Sequence, residues 1–116
     1  MPQQIRAIVV DPSAGGRLSI QSVELRDPGR DEVVVKVSAI SLNRGETRRA
    51  VQVADPGWRP GWDFAGVVER EAVDGSGPKV GTRVVGILPS GAWAEKVNCR
   101  SHAVADLPSI QCAECP

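Results

Sequence analysis

Two groups of residues in this chain have types and spacing that could do chemistry. The first is Cys99-x-x-His102 followed by Cys112-x-x-Cys115. Two such pairs can share one tetrahedral zinc ion, with thiolate and imidazole donors. Against that use stands the place of the second pair. It sits one residue from the last, where little structure would hold it. The expectation is that no metal is bound. The second group lies between residues 43 and 63. Asn43 stands three residues ahead of Glu46, a capping-box-like helix start. A capping amide uses its oxygen as acceptor and leaves two N–H donors. Those donors can meet a cofactor or substrate oxygen, and a cap alone is the other reading. Arg44, beside it, offers a cation to an anionic substrate or phosphate, whereas Arg48 and Arg49 read as a solvated face. Trp62 supplies an apolar wall and one N–H donor, either to a pocket or to the core. Asp63 next to it can carry a proton or bond backbone at a turn. Trp58 and Trp93 are read as further pocket or interface residues.

These side chains need a scaffold, and the hydrophobic pattern describes one. Residues 5–10 form a β-branched run closed by Asp11-Pro12, and residues 18–25 alternate imperfectly. Residues 32–42 carry the strongest strand signal. Val33, Val35, Val37 and Ala39 make one apolar face, and Val34, Lys36, Ser38 and Ile40 a mixed one, the half-buried pattern. A short helix is predicted over residues 44–53, ended by Asp55-Pro56-Gly57. Strands are predicted over 64–73, 80–86, 92–97 and 103–107, with a turn at Asp74-Gly75-Ser76-Gly77-Pro78. Gly75-x-Gly77 leads into a strand rather than a helix. It therefore reads as a hairpin turn, since a phosphate site needs a helix N-terminus behind its loop. Many short strands with one short helix describe a barrel or sandwich.

Composition agrees with that class. The 116 residues suffice for one domain, and 41% hydrophobic with 24% charged is ordinary for a globular protein. Fourteen basic and fourteen acidic residues cancel, so no bulk field points to nucleic acid or an anionic membrane. With three Trp, one Phe and no Tyr, the core must be aliphatic. No apolar run is long enough for a membrane span, and the first residues lack the apolar stretch of a secretory signal. An odd cysteine count does not suggest a disulfide framework. A cytoplasmic protein is the expectation.

The stretch Pro60-Gly61-Trp62-Asp63-Phe64-Ala65-Gly66-Val67-Val68-Glu69 carries more. Its Gly-x-Asp-x-Ala-Gly-x-Val resembles the signature of the medium-chain dehydrogenase/reductase superfamily. Val80-Gly81-Thr82-Arg83-Val84 resembles that family's Val-Gly-Asp-Arg-Val, with Thr82 in place of Asp. Ala92-Trp93-Ala94-Glu95 resembles its Gly-Ala-Tyr-Ala-Glu segment. Zinc-using members read Gly-His-Glu where this chain has Gly61-Trp62-Asp63, so Trp62 stands in place of a zinc ligand. Leu42-Asn43 matches the pair that replaces the zinc-binding Cys in the quinone-oxidoreductase-like branch.

That resemblance covers residues 5–108 and implies a mainly β, GroES-like barrel with one or two short helices and no Rossmann domain in this chain. Residues 109–116 depart from the pattern and read as a truncated or frayed tail. It further implies the N-terminal, substrate-side half of a zinc-independent, NADPH-dependent oxidoreductase. Asn43 would lie by the nicotinamide and Trp62 would wall the pocket. The expected partners are a small-molecule substrate, a Rossmann domain that binds most of the cofactor, and no nucleic acid or membrane. A homodimer is compatible with the sequence. A standalone binding module on the same barrel, or a small zinc protein using the Cys/His set, are the competing readings.

Overall fold

The structure, a computed structural model, describes residues 3–52 and 54–108, without the side chains of Glu46 and Ala50. Seven strands and one helix follow in order: β1 (Gln3–Val10), β2 (Leu18–Leu25), β3 (Glu32–Ile40), α1 (Arg44–Gln52), β4 (Asp63–Arg70), β5 (Arg83–Ile87), β6 (Lys96–Arg100) and β7 (Val104–Asp106). Single 3-10 turns occupy Gly15–Arg17 and Ser101–Ala103. The mainly β architecture expected from the turn spacing is what forms. The predicted elements all appear, with shifted ends: β3 stops two residues early, β4 three, and the strand expected over 92–97 begins only at Lys96.

The strands pair antiparallel. β1 and β2 form a hairpin, and the other five make a sheet in the order β6-β3-β4-β5-β7. Residues 93–95 join the two. Ile8 N donates to Trp93 O at 2.9 Å and Glu95 N to Arg6 O at 3.0 Å, while Val37 N donates to Glu95 O at 2.9 Å. The chain there borders β1 on one side and β3 on the other, so the sheet curls into a half-barrel. The Gly75-x-Gly77 loop opens into β5, as its sequence context predicts. Both glycines have positive φ, at 83° and 78°, and Asp74 Oδ1 accepts from Ser76 N and Ser76 Oγ.

One expectation for β3 needs correcting. Its Val33, Val34 and Val35 are all buried, so the strand is not half-buried over that length. Val33 and Val35 join Phe64, Val68, Val84, Val97 and Cys99 in the main core. Val34 faces the other way, into a second cluster with Ile5 and Leu25. The β1–β2 hairpin lies over that face, which a single-strand pattern could not reveal. At the far end the burial reverses, and Ala39 and Ile40 are exposed.

Two glycines let the central strands approach. Ser38 is an extra residue between the pairs Val37–Gly66 and Ala39–Ala65. A bulge of this kind bends its strand, and the bend drives β3 into β4. A Cβ on Gly66 would overlap the Lys36 carbonyl oxygen. Gly86, opposite Phe64 in register, leaves room for that ring, 2.5 Å from where its Cβ would be.

The turn into β3 is held by charge. Arg26 Nη1 and Nη2 donate to the two Glu32 carboxylate oxygens at 2.6 and 2.8 Å, and Gly29 N adds a third bond at 2.7 Å. The Arg26 hydrogen bond, seconded by the Gly29 amide, holds the Glu32 carboxyl below its ordinary 4.5.

Two outcomes follow from this packing. Gly66→Ala is expected to destabilise the fold by about 1–3 kcal/mol, the range for overpacking a rigid site. Gly15→Ala, with nothing within 4 Å, is expected to change it by no more than about 0.5 kcal/mol. Urea denaturation of both distinguishes them. Glu32 stabilises the folded state at pH values above 4.5, and that contribution is lost as pH falls through its lower folded-state value. Glu32→Gln should therefore be less stable than the parent at pH 7, with the gap closing on acidification.

Candidate functional site

β3 ends at Ile40, and after three intervening residues α1 begins at Arg44. The Asn43 carbonyl starts the helix, accepting from Thr47 N and from Thr47 Oγ1, each at 3.0 Å. The other end of α1 is tied down by Arg17, which holds a positive φ of 66°. Its guanidinium donates to Ala54 O at 2.8 Å and Val51 O at 3.4 Å. Cations suit the carbonyl end of a helix. The Glu46 half of the expected capping box lies outside the described side chains.

The start of β4 comes to the start of α1. Ser41 Oγ donates to Asp63 Oδ1 at 2.6 Å, and Asn43 Nδ2 reaches the same oxygen at 3.5 Å. Asp63 thus holds the segment between β3 and α1. Below it, Trp93 Nε1 donates to the Ser41 carbonyl at 3.3 Å, and the Trp93 ring is buried at 4% exposure. Gly61 makes room for it. Its φ is 105°, and a Cβ there would stand 2.5 Å from Trp93 Cδ1. Trp62 remains 40% exposed. Its Cη2 lies 3.4 Å from the Cβ position of Gly45, over the first turn of α1.

The structure therefore gathers Asn43, Trp62, Asp63 and Trp93 around one junction. Trp58 lies elsewhere: it packs with Val10, Ala54 and Leu18, under the Arg49 guanidinium at 4.6 Å. Arg44 lines a shallow cavity on α1 with Thr47, Arg48, Val51 and Gln52. Sequence reasoning missed Ser41. The signal was present, since Ser41 and Asn43 are two apart and an extended segment puts them on one side.

It also missed an apolar cleft of about 830 Å³ bounded by residues 39–41, 63–65, 85–87 and 102–105. Ile40, Val85 and Ile87 are exposed beside it. The Ser41–Asp63 pair forms a polar end, His102 adds an imidazole to one wall, and the rest is apolar, Phe64 among aliphatic side chains. Such a cleft takes an apolar molecule and fixes one polar atom of it.

Of the Cys/His set, Cys99 and His102 are described, and they have different surroundings. Cys99 is buried in the core, its thiol facing Ile87 O and Ala103 O at 3.5 and 3.9 Å. Burial pushes that thiol up to about 11, so the thiolate that a metal needs is costly to form. His102 is exposed on the wall of the cleft. Among the described residues no group of three or more His, Cys, Asp or Glu could hold a metal. Cys112 and Cys115 lie outside the described residues. No helix among those described is long and apolar enough to cross a membrane.

Comparison with known proteins places this arrangement. The alcohol dehydrogenase GroES-like domain matches residues 29–109. The chain belongs to that family. Its relatives are enoyl reductases and quinone oxidoreductases of the medium-chain dehydrogenase/reductase superfamily. This GroES-like chain is 33% identical over 121 residues to the trans-enoyl reductase milB of Cordyceps militaris, covering 93% of this chain and 33% of the relative. The crystal structure of a quinone oxidoreductase from Pseudomonas syringae matches with TM-score 0.77 and 27% identity, over 90% of this chain and 34% of that one. A mycobacterial protein solved in complex with NADPH matches with TM-score 0.73 and 26% identity, over 91% and 34%. The chain spans about a third of the length of each.

Gly61→Ala tests the support beneath the site. Left-handed strain and the collision with Trp93 together should cost about 2–4 kcal/mol. A chemical-denaturation curve should show the loss, and tryptophan fluorescence of the folded protein should shift as Trp93 is displaced.

Proposed function

We propose that this GroES-like chain is the substrate-side part of an NADPH-dependent, zinc-independent oxidoreductase that reduces an activated alkene, a quinone or a carbonyl. The observation that carries the reading is the junction itself. A half-buried amide at Asn43, an exposed indole at Trp62 and an apolar cleft with one polar end meet where β3, α1 and β4 meet. The names of the relatives support the reaction class, and the NADPH complex supports the cofactor.

The residues present fit a nicotinamide. The Trp62 ring is an exposed, flat apolar surface over Gly45 in the first turn of α1, the helix that Asn43 starts. Arg44 starts α1 on the solvent side and offers a cation to a phosphate. The bound dinucleotide would supply the hydride. The chain's own residues bind, orient and exclude water. Asn43 N–H donors are suited to an amide or carbonyl oxygen, and their 3.5 Å approach to Asp63 is long enough to yield to a better acceptor. Trp62 limits solvent at the rim. Ser41, locked to Asp63 and held from below by Trp93, fixes the turn that carries Asn43. Orienting two reactants and stabilising a developing oxyanion by preformed donors is sufficient catalysis for hydride transfer. The pyrophosphate-cradling amides are assigned to a Rossmann domain outside these 116 residues.

The test is a graft. Residues 1–108 replace the matching segment of the Cordyceps enoyl reductase, and NADPH oxidation is followed with an enoyl thioester or a quinone. The graft should turn over, whereas the 116-residue chain alone should bind NADPH weakly and show no turnover. Asn43→Asp in the graft should lower turnover tenfold to about a hundredfold, on the order of ~1.5–3 kcal/mol, and should lower the melting temperature, because the new carboxylate faces Asp63 where Asn43 Nδ2 had donated. An Asn43→Asp graft with full turnover would remove Asn43 from the site. A folded graft that bound NADPH yet reduced neither substrate would end the reading.

A further inference from the structure

A second cavity, of about 670 Å³, shares only Ile87 and Ala103 with the cleft described above. Its walls include Arg26, Glu32, Arg59, Asn98 and Arg100. Two polar atoms on those walls are buried and have no hydrogen-bond partner among the described residues: Arg59 Nε and Asn98 Oδ1. Nearly all buried polar groups in folded proteins are paired, so two orphans on one cavity need a cause.

Asn98 is held in a fixed sense. Its Nδ2 donates to Arg26 O at 2.8 Å, which assigns the other end of the amide as the acceptor. The side chain is 9% exposed. Arg59 has a single long bond, from Nη2 to Gly91 O at 3.4 Å. Its guanidinium lies against Gly91, whose Cβ position would be 3.7 Å from Arg59 Cζ. Burial pulls the Arg59 pKa down, as for a cation stripped of water without a counter-ion.

The surrounding charges leave that cation uncompensated. Arg26 and Glu32 neutralise each other at 2.6 Å, and Lys96 is paired with Glu69 at 2.9 Å. Glu24 also lines the cavity, but it is exposed on β2 and makes no ion pair with Arg59 among the described residues. Arg100 adds a positive charge with no ion pair among the described residues. Turning Arg59 toward a ligand gives up one weak bond and gains a charge-assisted one.

We infer that this cavity binds a small oxyanion that also carries a hydrogen-bond donor, with Arg59 meeting the negative oxygen and Asn98 Oδ1 accepting from the donor. Hydrogen phosphate has both features, and so does a 2-hydroxy acid. The inference goes beyond the oxidoreductase reading and does not depend on it, because neither Asn43 nor Trp62 touches this cavity.

The full chain is titrated separately with inorganic phosphate, glycolate and acetate. Two-dimensional NMR follows the Asn98 side-chain amide and the Arg59 N–H. Saturable shifts at both residues are expected with phosphate or glycolate. Whichever of the two binds more tightly identifies the anion. Acetate, which lacks the donor, should bind at least tenfold more weakly. Arg59→Met should weaken binding tenfold or more, with a melting temperature equal to or above the parent's because a dehydrated charge is gone. Asn98→Asp, which turns the acceptor into a repelling carboxylate, serves as an independent variant with the same expected loss. No saturable shift with either phosphate or glycolate overturns the inference. So does equal binding of acetate, or undiminished binding in a folded Arg59→Met or Asn98→Asp protein.

Discussion

The backbone of residues 93–95 is hydrogen-bonded on two sides at once, and the rest of the molecule follows from that. On one side it meets β1 through Ile8 and Arg6, and on the other β3 through Val37. Without it the β1–β2 hairpin, a two-stranded piece too small to be stable in water, would be tied on at its ends, through Val10 to residues 57–58 and through Arg26 O to Asn98. With it, the hairpin covers Val34 and completes the second core cluster. The same short segment carries Trp93, whose indole N–H holds the Ser41 carbonyl and whose ring demands a glycine at 61. Scaffold and candidate site are therefore one mechanical unit. What curls the sheet also sets the height of the turn that presents Asn43.

Much of this was legible because local signals agreed with the global fold. The Val-rich run of β3, the glycine-marked turns and the Asn43 helix start each point to the element observed. What escaped were features made by contact between distant segments. Val34 reads as one member of a mixed face until the hairpin is laid over it. Ile40, Val85 and Ile87 read as ordinary strand residues, yet two strands apart in the sheet they border one apolar cleft. Ser41 was within reach of a period-two argument. Its bond to Asp63 was not, because twenty-two residues separate them. Trp58 shows the opposite error of inference. Residue type alone suggested a pocket, whereas its place next to Gly57 and the end of α1 makes it a local packing residue.

The junction and the oxyanion cavity solve different electrostatic problems. At the junction the side chains of Ser41, Asn43, Asp63 and Trp93 each have a partner, and the carboxylate of Asp63 is shared between a hydroxyl and an amide. The site is ordered before anything binds, which is the condition for orienting a reactant at little entropic cost. The second cavity holds a half-buried cation whose Nε has no partner among the described residues. One region is built for position and the other for charge, and they are separated by the end of β5 and the turn before β7.

The double-sided segment also sets the order in which the chain can assemble. Ala7 bridges to Ala94, so nearly the whole described chain lies between the two partners. Closing so large a loop must await its late residues, and proteins dominated by such distant pairings fold in milliseconds to seconds rather than microseconds. On a ribosome, β1 and β2 emerge first and can form only their own hairpin. The cluster of Ile5 and Leu25 then stays incomplete, even after Val34 of β3 has emerged, until Ala94 has cleared the exit tunnel. For that interval the nascent chain displays an apolar face with no lid, and a chaperone that recognises such faces has its longest opportunity there.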